Sequence, residues 1–234
     1  MTTAQGARAR ARIEITAAIK DEARRQLAAE GAAKLSLRAA ARELGMVSSA
    51  LYRYFPSRDD LLTALIIDAY DSVGAAAERA HATAEAAAPG DHLAHWTAVC
   101  RAVRAWAVDH PHEYALIYGS PVPGYTAPQD TIAPASRVGL LLVSVARAAY
   151  RGKGVALPPL PDALRAEAER LAADIAPDLP PPLAAALVSA WAELFGLISF
   201  EIFGQFNNIV GDRAAFFATA AERLGREVGL LPRP

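Results

Sequence analysis

Apolar residues return every four positions at Ile15, Ile19, Ala23 and Leu27, which predicts a first helix with one apolar face. Gly31 follows as its C-terminal stop. Almost no segment alternates with period two, and alanine, leucine, glutamate and arginine dominate, so the expected fold class is all-α. A short second helix is expected over about Ser36 to Leu44, with Ser36 as N-cap and Gly45 allowing a tight turn. A third covers about Ser48 to Phe55, ended by Pro56 and Ser57. Ser57 with Asp60 resembles a capping box for a fourth helix, which carries Leu61, Leu62, Leu65 and Ile66 and runs past Tyr70.

The stretch "GAAAERAHATAEAAAPGD" holds few large apolar residues and is broken at Pro89–Gly90. It reads as the end of the fourth helix and a linker, with a second domain starting near Asp91. Prolines then divide the body into helices near 91–109, 134–151, 162–175, 182–206 and 212–230, the proline clusters reading as rigid connectors. The expected domains are a flexible basic arm over 1–12, a helix-turn-helix domain over 13–60, a connecting helix and linker over 61–90, and a ligand-binding and dimerisation domain over 91–234.

Composition adds one decisive feature. With 53% hydrophobic and 21% charged residues the chain is globular, and its formal net charge of −1 says little. The charge is unevenly distributed. Residues 1–58 carry 11 Lys+Arg against 5 Asp+Glu, whereas the remainder carries 13 against 20. This asymmetry predicts a basic module that meets a polyanion, joined to an acidic body that does not. A single cysteine, Cys100, excludes an internal disulfide framework and fits a reducing cytoplasm. The first residues lack the apolar core of a secretory signal, and polar residues such as Glu193 and Glu201 interrupt the apolar run from Leu183 to Val210, so no membrane span is expected.

Two short helices joined by a glycine turn form a helix-turn-helix, whose second helix can enter the DNA major groove. Leu51 and Phe55, four apart, pack inward. The opposite face presents Ser48, Ser49, Tyr52 and Arg53, with Tyr54 at its flank. Hydroxyls and guanidinium groups suit phosphates and base edges, which explains why polar donors cluster there. The segment "LSLRAAARELGMVSSALYRYFPSRDDLL" resembles the DNA-binding half of the tetracycline-repressor (TetR) family of transcriptional regulators. The likeness rests on Ala41 with Gly45 four residues on, the "LYRYF" block, and a basic residue before paired leucines; it covers roughly residues 13–70. It implies that Ser36 and Arg38 touch the DNA backbone, that Ser48, Ser49 and Arg53 face bases, and that Tyr52, Tyr54 and Arg58 clamp phosphates. Val47 stands where the family often has a serine or threonine cap, so the recognition helix is expected to begin at Ser48. Arginines 8, 10 and 12 read either as an arm reaching an adjacent groove or as an ordinary basic tail.

In the body, "PHEYALIYGSPVPGYTAP" and "WAELFGLISFEIFGQF" resemble the C-terminal domain of a subgroup of that family named for a Trp-His-Gly motif. Trp191 and Gly196 are present and the histidine is not. The resemblance implies a homodimer formed by the last two long helices, for which Leu187, Trp191, Leu194, Ile198 and Ile202 offer a stripe that also suits intramolecular core. It also implies a small apolar inducer, with Trp96, Trp106, Tyr114, Tyr118, Phe195, Glu201 and Phe203 as candidate lining residues. Glu201 in its apolar run reads equally as a bridge to an arginine on another helix. His92 and His95 lie one turn apart, with His110, His112 and Glu113 beyond, but no metalloprotease motif or paired cysteines define a metal site. No cofactor is implied, and no nucleophile elbow or phosphate loop points to an enzyme. The expectation is a DNA-binding repressor released from its operator by a small molecule; the competing reading is a helical small-molecule or metal-binding protein, with or without catalysis, that ignores DNA.

Overall fold

The computed structural model describes residues 3–232, with side chains from Gly6 onward. Ten α-helices form its framework: α1 (Thr3–Glu30), α2 (Leu37–Glu43), α3 (Ser48–Leu51), α4 (Arg58–Ala87), α5 (His92–Asp109), α6 (Pro111–Tyr118), α7 (Ile132–Arg151), α8 (Arg165–Ile175), α9 (Pro181–Ile202) and α10 (Arg213–Val228). The only pairing of β type among the described residues is an isolated antiparallel bridge between Val155 and Leu230. Two helices, over 129–151 and 181–202, are long and apolar enough to cross a membrane. Both carry core side chains here, among them Leu142 and Val145 on α7 and Leu183 and Leu194 on α9.

The chain divides into two compact units, 1–70 with 110–134, and 71–109 with 135–234. In the first, Ile19, Ala23 and Leu27 of α1 meet Leu37, Ala40 and Ala41 of α2, Leu51 and Phe55, and Leu61, Leu62 and Leu65 of α4 in one buried cluster. Helices α2 and α3 are too short to stand alone, so the apolar cluster they share with α1 and α4 stabilises them. Polar ties surround it. Asp68 accepts from both Lys20 and Arg24 at 2.8 Å. Tyr125 and Thr63 share a hydrogen bond of 2.9 Å, and Tyr70 donates to the Ile117 carbonyl.

The second unit packs α5 against α10 and α9 against both α8 and α10. Gly225 permits the close approach of α10 to α5, since a β-carbon there would lie 2.7 Å from Leu93 and 2.9 Å from Trp96. Trp96 is fully buried and donates its indole hydrogen to the Ala221 carbonyl. Cys100, one helical turn further along α5, is buried too, and burial pushes its thiol pKa far up, so it behaves as an inert apolar group. Arg137 on α7 reaches Asp71 and Glu78 of α4, at 2.7 Å each.

Several expectations need correction. Residues 3–12 form no arm, because Arg8, Arg10 and Arg12 sit on exposed turns of α1; alanine and arginine are strong helix formers and extend the helix. Residues 1 and 2 lie outside the described residues. The alanine-rich stretch is not a linker either. It continues α4 to Ala87, with Gly74 and Ala77 buried, and only residues 88–91 connect it to α5. The units therefore part inside α4, at residue 70, and not near Asp91. Helix α6 was hidden behind Pro111, which starts that helix at its first turn. On α9, Leu187, Leu194 and Ile198 are intramolecular core, whereas Trp191 is exposed.

Arg104 on α5 and Glu201 on α9 form a bidentate pair at 2.7 and 2.6 Å, with side chains only 19% and 10% exposed. Replacing Glu201 by glutamine should lower stability in urea unfolding by about 2–3 kcal/mol, because it strands a desolvated guanidinium. The double variant Arg104→Met with Glu201→Met should recover most of that loss.

Candidate nucleic-acid interface

The site is built outward from the turn between α2 and α3. Ser36 caps α2 by accepting from the Ala39 amide, and its own amide donates to the Gln26 side chain of α1. At the other end Gly45 adopts φ +63°, a left-handed conformation that glycine reaches without a steric penalty. The Met46 amide then returns to the Ala41 carbonyl at 2.8 Å and closes the turn. Helix α3 begins at Ser48, and Val47 at its N-cap supplies no side-chain cap. The regular helix spans only Ser48–Leu51, but amides of Arg53, Tyr54 and Phe55 continue in helical turns onto the Ala50 and Leu51 carbonyls.

Leu51 is fully buried and Phe55 nearly so, and these two hold the segment down. Ser48, Ser49, Tyr52 and Arg53 project from its other side, all exposed. Arg38 on α2 is exposed as well. Tyr54 is half-buried, with the Arg12 guanidinium 5.3 Å above its ring centre. Arg58 is placed differently: its guanidinium donates to the carbonyls of Ala32 and Ala33, at 2.8 and 3.2 Å. It thereby closes the connection between α1 and α2. Two cations beyond the sequence reading share this region. Lys34 lies at the end of the turn after α1, and Arg42 sits one helical turn from Arg38 on α2, an i, i+4 spacing legible in the sequence. Val47, 70% exposed, adds an apolar side chain beside the hydroxyls.

The candidate lining residues of a ligand pocket fall in both units. Trp96 and Trp106 are core, and the Trp106 indole donates to Ser72 at 2.9 Å. Tyr114 and Tyr118 belong to the first unit, their rings 5.1 Å apart, and burial raises the Tyr118 hydroxyl pKa so that it stays protonated. Phe195 packs 5.7 Å from Trp191, Glu201 is taken by Arg104, and Phe203 caps the end of α9. A different space exists inside the second unit. Between α7, α8 and α9 lies a cavity of about 370 Å³ lined by Leu140, Val143, Leu171, Ile175, Leu187 and Trp191, among others. None of the seven lining candidates borders it.

A capped helix, a glycine turn and a short second helix with an exposed row of donors make up a helix-turn-helix module of a DNA-binding regulator. Comparison with known proteins agrees. Residues 19–65 match the family model "Bacterial regulatory proteins, tetR family", and residues 96–224 match "Tetracyclin repressor-like, C-terminal domain". The chain belongs to the TetR family of transcriptional regulators. It is 42% identical over 204 residues to the HTH-type transcriptional regulators Mb1846 of Mycobacterium bovis and Rv1816 of Mycobacterium tuberculosis, covering 86% of each chain. The crystal structure of SCO4313, described as a regulatory protein, superposes with a TM-score of 0.75 at 37% identity over 92% of this chain and 97% of that one. A protein of unknown function from Rhodococcus sp. RHA1 shares the fold, with a TM-score of 0.69 at 22% identity over 90% and 93% of the two chains.

Arg53→Ala should relax sequence preference, with a loss of about 1–3 kcal/mol of discrimination at one base position in competition binding. Arg58→Ala should act first on the fold, because two carbonyls lose a charged donor. A fall of about 1.5–3 kcal/mol in unfolding free energy is expected.

Proposed function

We propose that the protein is a homodimeric, ligand-responsive repressor, which acts in the cytoplasm and is not an enzyme. The observation that carries the reading is the exposed row Ser48, Ser49, Tyr52 and Arg53, held on a helix whose buried side is anchored by Leu51. In this reading Ser48, Ser49 and Arg53 contact bases. Tyr52, Tyr54, Ser36 and Arg38 contact the DNA backbone, and Lys34 and Arg42 extend that contact. Arg58 contributes by shaping the loop before α2, and any contact it makes with phosphate is secondary to that.

Dimerisation through α9 and α10 is supported by their exposed apolar side chains. Trp191, Phe200 and Phe216 are each 44–52% exposed, an unusual density for a surface that faces only water. Ala192 and Gly196, exposed on the same side of α9 as Phe200, would let two helices approach closely. A twofold dimer would present two recognition helices roughly 34–36 Å apart, matching successive major grooves. The cavity between α7, α8 and α9 is the best-supported inducer site, because its lining is almost wholly apolar. Trp191 borders both the cavity and the proposed dimer surface, so an occupant could shift the pairing of the protomers and with it the spacing of the recognition helices.

Purified protein titrated against duplex fragments from beside its own gene should form a complex that survives non-specific competitor. Log affinity should fall linearly with log salt. No complex at low salt with any duplex would sink the reading. Phe216→Glu should convert the protein to monomer in sedimentation and lower operator affinity by about 100-fold or more, as each half-site then binds alone. Val188→Trp, which fills the cavity, should leave operator binding intact and abolish uptake of an apolar fluorescent probe.

A further inference from the structure

The second unit holds a side-chain cluster that DNA recognition does not use. His81 and Glu85 are four residues apart on α4, so they lie on one face, one turn apart. The chain then turns through Ala88, Pro89 and Gly90, where Gly90 takes φ +79°, and α5 starts under an Asp91 cap that accepts from the Ala94 amide. This turn brings His95, fully buried, against the same face. One nitrogen from each imidazole and one Glu85 oxygen all lie within 4.8 Å of one another.

The hydrogen bonding of His95 determines which atom faces the cluster. Its Nε2 lies 2.8 Å from the Ala88 carbonyl, and a carbonyl can only accept, so Nε2 carries the hydrogen. In the neutral ring Nδ1 then holds a lone pair. That buried atom makes no hydrogen bond of acceptable geometry, yet it lies 3.0 Å from a Glu85 carboxylate oxygen. Two lone-pair atoms at that distance repel unless something positive joins them, and the choices are a proton or a metal ion.

We propose that His81, Glu85 and His95 form a binding site for one divalent cation of the zinc class. Two imidazole nitrogens with one carboxylate oxygen are a zinc-type donor set, whereas calcium and magnesium take oxygen ligands. The Ala88 carbonyl plays the part of the outer partner that fixes the tautomer of a ligating histidine. Zinc bonds of about 2.0–2.1 Å require donor atoms closer than the present spread. Contraction is available, since the Glu85 side chain is 50% exposed and His81 is half-buried, so both can turn onto the fixed His95. Three protein ligands leave a fourth position for water or a small donor. Occupation ties the last turns of α4 to the first turn of α5 within the second unit, so it stabilises the folded state.

The test uses the full-length protein after chelator treatment and dialysis, titrated with zinc chloride by calorimetry and checked by metal analysis. One zinc per chain is expected, with a rise in melting temperature. Cobalt(II) titrated into the wild-type protein should give the visible absorption of a tetrahedral site. Glu85→Ala and His81→Ala alter accessible side chains, so the fold should survive; each should weaken zinc binding by at least about tenfold, since even loss of an outer partner costs that much. His112→Ala serves as a control that keeps full affinity. Substoichiometric zinc, a cobalt spectrum no different from cobalt in buffer, or affinity unchanged in both variants would overturn the site and leave a protonated His95 paired with Glu85. Because none of these readouts involves DNA, the outcome is independent of operator binding.

Discussion

The DNA-facing surface depends on the burial of Leu51. A helix of one regular turn has no stability of its own, since nucleation is unfavourable and too few hydrogen bonds follow it. It persists because Leu51 and Phe55 are drawn out of water against Ala40, Ala41 and the apolar face of α1. The small side chains of α2 are as necessary as the large ones of α3, because bulk at Ala40 or Ala41 would lift the recognition segment from its seat. With the inner side committed to packing, the outer side is free to carry groups chosen for contact with a polyanion. Positioning and recognition are thus separated across a single turn of helix.

Charge follows the same economy. Lys20 and Arg24 share Asp68 in the first unit, Arg24 also reaches Asp21, and the Arg58 guanidinium is held by two loop carbonyls. Among the exposed cations of this unit, Arg38, Arg42 and Arg53 lie on or just after the two short helices and Lys34 just before them, Arg42 and Lys34 beside Glu43 and Glu30. In the second unit the charges are mostly paired across helices, as Arg137 with Asp71 and Glu78, or Arg147 with Asp178. Such exposed pairs add little stability individually. Large apolar side chains meet solvent on α9 and α10 at Trp191, Phe200 and Phe216, a surface that a dimer would cover.

The histidines show how a local reading can miss a spatial cluster. His92 and His95 stand out by their spacing, and His110 with His112 by their density, yet the three donor residues that converge are His81, Glu85 and His95. Two of them sit in an alanine-rich run with no hydrophobic periodicity. Only the continuation of α4 through that run, followed by the turn at Gly90, brings them against the first turn of α5.

By itself the sequence determined the all-helical class, the caps at Ser36 and Ser57, the glycine turn and the two-sided third helix. These are short-range effects, set by side chains within a few residues of one another, and local spacing records them. Tertiary structure alone decided where the units part, because the boundary falls inside one unbroken helix and leaves no compositional mark. It also decided that Arg58 serves the loop before α2, that Glu201 is held by Arg104, and that a cavity opens between α7, α8 and α9. Each of those outcomes joins residues far apart in the chain, and the choice among many chemically suitable partners is made by the packing of helices, which no local pattern encodes.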